Sequence, residues 1–263
     1  MSKKMSQENI NQEELVVKTF GAQAKIYAGK YSDKSSIAHS FSIRRQRVYE
    51  MLEELKEGKV LDIGCGPGVM VDHLLNKGLE FYGVDLSKEM IEQCKQDFRH
   101  IPSAHFSVGR IEKIEFPDSF FNAVVCMGVV EYIDDDQGAI REMKRVAKPG
   151  GFIIITLPNK QSPYRVWGRS VYSRMTKIIK KIIKRKGSKI IVHREYSEVK
   201  YIELLKSFDL KVVDVVYYNF KLLLSPLDKI APKLNVFFSR QLEFLSRSKL
   251  RWLGTGFIVK AKK

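Results

Sequence analysis

The 263-residue sequence has little cysteine and no long apolar run. Without 18 or more consecutive apolar residues, no segment reads as a transmembrane helix. Three cysteines, Cys65, Cys94 and Cys126, lie 29 and 32 positions apart. An odd number at such spacings gives neither a disulfide framework nor a C-x-x-C metal knuckle, and a reducing, cytoplasmic setting is expected. The first residues, Met-Ser-Lys-Lys-Met-Ser-Gln-Glu-Asn, lack the apolar core of a secretory signal and read as a disordered start. His39, His73, His100 and His105 show no metal-ligand spacing, so no metal site is expected.

One absence is local. From Met143 to Arg194 there is no Asp or Glu, against 15 Lys and Arg. The rest of the chain holds 31 of the 46 basic residues and all 30 acidic ones. The net charge of +16 therefore belongs to one segment of an otherwise balanced domain. Such a segment seeks anions, whether lipid headgroups, nucleic acid or an acidic substrate.

What is present is an alternation of strands and helices. Residues 12–33 and 36–56 have helical spacing, the latter through Ile37, Phe41, Val48, Met51 and Leu52. Buried strands read at 59–63, 79–84, 105–108, 123–127 and 152–157, separated by helices at about 67–77, 87–98 and 135–147. A helix at 197–208, a strand at 210–218 and a last strand from Gly254 follow, and residues 219–250 show no clear pattern. This order predicts an α/β fold, a Rossmann-like doubly wound and mostly parallel seven-stranded sheet. A helical N-terminal cap (1–57) precedes the main domain (58–263), which carries a basic helical insertion at about 160–192 after the fifth strand.

Val60-Leu-Asp-Ile-Gly64-Cys-Gly66-Pro-Gly68 runs from a strand into a glycine-rich turn. Glycines there let the backbone turn tightly and approach a ligand. Asp85 ends the next strand, where a carboxylate can accept both hydroxyls of a ribose. A G-x-G-x-x-G dinucleotide fingerprint would need glycine at position 69, which is Val.

With Asp62, the string Asp-x-Gly-x-Gly-x-Gly resembles the first motif of the class I S-adenosylmethionine-dependent methyltransferases. Phe116-Pro-Asp-Ser-Phe-Phe-Asn-Ala-Val-Val, Gly128-Val-Val-Glu-Tyr132 and Lys148-Pro-Gly-Gly-Phe extend the resemblance over about residues 58–159. It implies S-adenosyl-L-methionine as cofactor and S-adenosyl-L-homocysteine as product. It places the cofactor against Asp62, Gly64, Cys65, Gly66, Gly68, Asp85, Leu86, Arg110, Ile111 and Met127. Arg110 stands where the family often has an Asp that contacts the adenine amine. Asn122 replaces the usual Asp at the start of the fourth strand.

For a hydroxyl acceptor, a general base is useful, and Glu131 and His193 are the candidates. Tyr27, Tyr31, Tyr132 and Tyr196 are candidate lid or acceptor-side residues. The resemblance, with Leu157-Pro-Asn and the segment around His193, leans toward O-methylation of a small, apolar or membrane-derived acceptor of quinone-like type.

From Pro163 to Lys186, Trp167, Val171, Met175, Ile178, Ile179, Ile182 and Ile183 fall on one face of a helix of about 22 residues, about 33 Å long. Nine cations occupy much of the rest. Three readings stay open: docking of this helix on an anionic membrane surface, binding of RNA as an RNA methyltransferase, or packing on the domain with solvated lysines. A scaffold that binds cofactor or membrane without turnover is a further alternative, and nothing in the sequence speaks to oligomeric state.

Overall fold

The computed structural model describes residues 36–182 and 193–263. Tyr27, Tyr31, the expected helix over 12–33 and the last part of the basic insertion lie outside the described residues. Helix α1 (Ser36–Met51) leads into β1 (Gly58–Ile63), α2 (Val71–Asn76), β2 (Leu79–Asp85), α3 (Lys88–Asp97) and β3 (Ala104–Val108). Then come β4 (Phe121–Cys126), a short 3-10 turn at Val130–Tyr132, α4 (Asp136–Val146) and β5 (Ala147–Pro158).

The seven strands are ordered β3-β2-β1-β4-β5-β7-β6. β1 to β5 pair in parallel, and β7 (Gly256–Lys262) runs antiparallel between β5 and β6 (Lys211–Tyr218). The strand order reverses between β1 and β4, which opens the crevice where α/β sheets place ligands. Both faces are covered because successive side chains alternate. Leu61, Ile63, Val124, Cys126, Ile153 and Ile155 enter one core, while Val60, Ala123, Val125 and Ile154 enter the other.

Two expected boundaries move. The helix after the glycine loop starts at Val71 rather than 67, because Gly66 and Gly68 hold positive φ values of 50° and 72° that a helix excludes. β5 starts at Ala147, ahead of Pro149-Gly-Gly. Ala147 pairs with Phe121, and the register shifts before Ala123 meets Phe152.

The basic insertion is not one uniform helix. It comprises α5 (Pro163–Trp167), a π-helical turn over Gly168–Tyr172 and α6 (Ser173–Ile182). After α7 (Glu198–Ser207) and β6, the unpatterned stretch forms α8 (Leu227–Ile230), α9 (Pro232–Leu242) and two 3-10 turns. It packs beside the insertion: the Trp167 indole N–H donates to Ser225 O at 2.7 Å, and the Tyr164 hydroxyl donates to Asp228 at 2.6 Å.

A cofactor cradle beside a charged cavity

The C-terminal ends of β1, β2 and β4 gather the predicted residues. The Asp85 carboxylate accepts the Gly66 amide at 2.9 Å through one oxygen and the Ser87 amide at 2.9 Å through the other. These bonds tie the glycine loop to the end of β2 and leave carboxylate lone pairs for a diol. A Cβ placed on Gly66 would meet nothing within 4 Å, so the loop backbone faces open space there. Leu86 is half-buried next to Asp85.

Asp62 is 1% exposed, and neither carboxylate oxygen has a hydrogen-bond partner among the described residues. Burial, reinforced by the nearby Asp85 charge and opposed by Arg44, pushes its carboxyl up to about 8. A buried carboxyl of this kind is costly unless a cation completes it.

Arg44 was not foreseen. It lies on α1 at 9% exposure, and its Nη1 stands 2.7 Å from where a Cβ on residue 128 would be. Its charge acts on Asp62, Glu131 and Tyr132. A signal existed: Arg44 falls three residues after Phe41 and four before Val48, on the apolar stripe of the helix. An orphan carboxylate and a buried guanidinium in one crevice suit a zwitterionic amino-acid end, with its ammonium toward Asp62 and its carboxylate toward Arg44. With Asp85 for the ribose, the residues present fit S-adenosylmethionine.

Other predicted contacts sort by burial. Ile111 and Met127 are buried in the two cores, one on each sheet face, while Arg110 is exposed, 3.7 Å from Glu112. Cys65 is buried, and its thiol is pushed well up by its hydrogen bond with Cys94 and by burial, which removes it as a nucleophile. Asn122 is structural: its Oδ1 accepts the Lys59 amide at 3.1 Å and the Lys148 ammonium at 3.0 Å.

Residues 61–155 match the family model described as a methyltransferase domain. By that match residues 61–155 carry a methyltransferase domain. Its fold aligns with those of solved methyltransferases. An S-adenosylmethionine-dependent methyltransferase of Thermotoga maritima aligns at a TM-score of 0.57 and 18% identity, covering 93% of this chain and 97% of that one. A chain from the Haloferax volcanii complex of a methyltransferase with its Trm112 activator aligns at 0.61 and 19%, over 92% and 96%. In sequence, the ubiquinone biosynthesis O-methyltransferase of Alkalilimnicola ehrlichii is 27% identical over 120 residues, 45% of this chain and 49% of that protein. An uncharacterized methyltransferase of Schizosaccharomyces pombe is 33% identical over 109 residues, 37% and 39% of the two. The chain thus spans about half or less of the length of these curated relatives.

Between the insertion and the segment carrying His193 lies a cavity of ≈ 530 Å³ whose walls include Lys160, Tyr164, Arg165, Arg169, His193 and Glu195. The His193 ring stands 4.8 Å from that of Tyr132. Partial burial and the Arg165 charge hold its pKa below the ordinary histidine range. Glu131 is buried, and its Oε2 has no hydrogen-bond partner among the described residues. Its carboxyl is raised by burial against the opposing charges of Arg44 and Arg165.

Tyr196, expected to face the acceptor, is instead a buried strut. Its hydroxyl donates to Val130 O at 2.9 Å and approaches Asp136 at 3.2 Å. It fastens the segment carrying His193 to the end of β4. Arg194 completes the fastening through Asp136, at 2.8 and 3.0 Å.

Proposed function

We propose that this protein transfers a methyl group to a hydroxyl of a small, apolar or membrane-derived acceptor. The observation that carries the reading is the adjacency of the Asp62–Arg44–Asp85 cradle to the His193 cavity. The bound cofactor supplies an activated methyl group. The chain supplies position and a proton acceptor. Asp85 and the Gly66 loop fix the nucleoside end, and Asp62 and Arg44 fix the amino-acid end.

His193 is the base in this reading. Its depressed pKa keeps the imidazole neutral near pH 7, ready to take the hydroxyl proton. Glu131, the other candidate, lies within the fields of Arg44 and Arg165 and sets the charge balance of the crevice. The quinone-like acceptor type is supported by the ubiquinone O-methyltransferase relatives.

A membrane-docking face belongs to the same proposal. Val171, Met175 and Ile178 of the insertion are exposed, as are Leu227, Ile230 and Leu234 of the neighbouring helices. Arg174, Lys177, Lys229 and Lys233 intersperse them. Apolar side chains among cations fit an anionic bilayer surface, where each basic residue adds about 1 kcal/mol. Trp167 departs from the expected outward apolar face, because its indole is bonded to Ser225. No helix among the described residues is long and apolar enough to cross a membrane.

The catalytic assignment is tested with His193→Asn and Glu131→Gln. His193→Asn lowers kcat by about 10²–10⁴ while S-adenosylhomocysteine affinity holds. An unchanged kcat removes His193 from the reaction, and a larger loss for Glu131→Gln gives Glu131 the role.

A further inference from the structure

The cavity beside His193 is more cationic than an apolar acceptor requires. Arg165 and Arg169 both engage one carboxylate: Arg165 Nη1 approaches Glu195 Oε1 at 3.5 Å, and Arg169 Nη1 pairs with Glu195 Oε2. Lys160, on the same wall, has no carboxylate partner among the described residues. Of the other carboxylates near Arg165, Glu131 is buried with its carboxyl raised, and Asp228 is already engaged by the Tyr164 and Ser225 hydroxyls and by Lys221 at 3.8 Å. Among the described residues that line the cavity, three cations therefore face one anion, Glu195.

The arginines are also held in place. Arg165 Nε donates to Thr255 O at 2.7 Å, and Arg169 Nη2 donates to Lys160 O at 3.3 Å. Seating a neutral molecule against this wall would strip water from two uncompensated charges with no return. A carboxylate or phosphate offers what guanidinium groups take best, paired oxygens at short range.

We propose that the wall formed by Lys160, Arg165 and Arg169 binds an anionic group of the acceptor, which makes the substrate a hydroxylated organic acid or phosphate ester. This rests on the acceptor-site reading above. Since one cavity of ≈ 530 Å³ is lined by His193 and the cations together, the hydroxyl and the anion belong to one small molecule.

The test follows the His193 imidazole resonance by NMR at constant ionic strength. Inorganic phosphate, benzoate and neutral benzamide are titrated separately into the full chain. Saturable shifts with phosphate or benzoate, but none with benzamide, are expected. The stronger anion then distinguishes a phosphate ester from a carboxylic acid. The double variant Lys160→Gln/Arg169→Gln weakens the anion by at least about tenfold, with S-adenosylhomocysteine affinity unchanged as the check on folding. No shift with either anion, an equal shift with benzamide, or unaltered binding in the double variant overturns the proposal. So does a shift produced by phosphatidylglycerol vesicles but not by free anions, which assigns the wall to lipid headgroups. Calorimetry with S-adenosylhomocysteine is read separately. Its failure would sink the methyltransferase reading, whereas loss of the anion response alone sinks only this inference.

Discussion

The Asp85 carboxylate accepts the Gly66 amide at 2.9 Å, so the residue that would hold the ribose also holds the loop beneath it. Burial raises this carboxyl, and the amides of Ser87, Gly66 and Leu86 offset part of that rise. Asp85→Ala removes the loop tether and the diol acceptors together. Calorimetric affinity for S-adenosylhomocysteine falls by at least about tenfold. An unchanged affinity removes Asp85 from the cofactor site.

Asp62 gives a prediction in protons. With its carboxyl at about 8, it is largely protonated at pH 7 in the free protein. A cationic ammonium placed against it favours the carboxylate, so cofactor binding releases up to one proton. Calorimetry in buffers of different ionisation enthalpy measures this release, and Asp62→Asn abolishes it.

The same group shapes stability. In the unfolded chain Asp62 ionises near its ordinary value of 3.8, whereas folded it keeps its proton to about 8. Between those values the folded state binds the extra proton, so stability falls as pH rises, by up to about 1.4 kcal/mol per unit. Thermal melts from pH 5 to 9 without cofactor show this loss, and Asp62→Asn flattens it. A slope identical in both proteins refutes the assignment.

The docking face is tested with vesicles. Met175→Asp and Ile178→Asp put charge on exposed positions, so the fold and cofactor affinity persist. Co-sedimentation with phosphatidylglycerol vesicles drops in these variants, and raising salt weakens it in the parent protein. Equal sedimentation of parent and variants removes this surface from membrane binding.

The sheet and its loop were legible because their signals are local. Unbroken β-rich runs, Gly64-Cys-Gly66-Pro-Gly68 and Asp85 each state their position along the chain. Arg44 acts at long range: it occupies a helix stripe that reads as apolar and reaches its site only when α1 packs against β5, β6 and β7. Residues 219–250 show no single pattern because they break into the four-residue α8, the 11-residue α9 and a 3-10 turn, with a second turn just after them. Tyr196 lies three residues after His193 in the sequence. Its role reversed because its hydroxyl turns inward to Val130 and Asp136.

The central claim is methyl transfer to a small acceptor. The most direct measurement incubates the protein with radiolabelled S-adenosylmethionine and whole-cell lysate, then separates organic extract, aqueous small molecules and acid-precipitated RNA. The account predicts label in the small-molecule fractions, with the organic extract dominant for a membrane-derived acceptor. Label in the RNA would contradict it and make the insertion a phosphate-tracking surface.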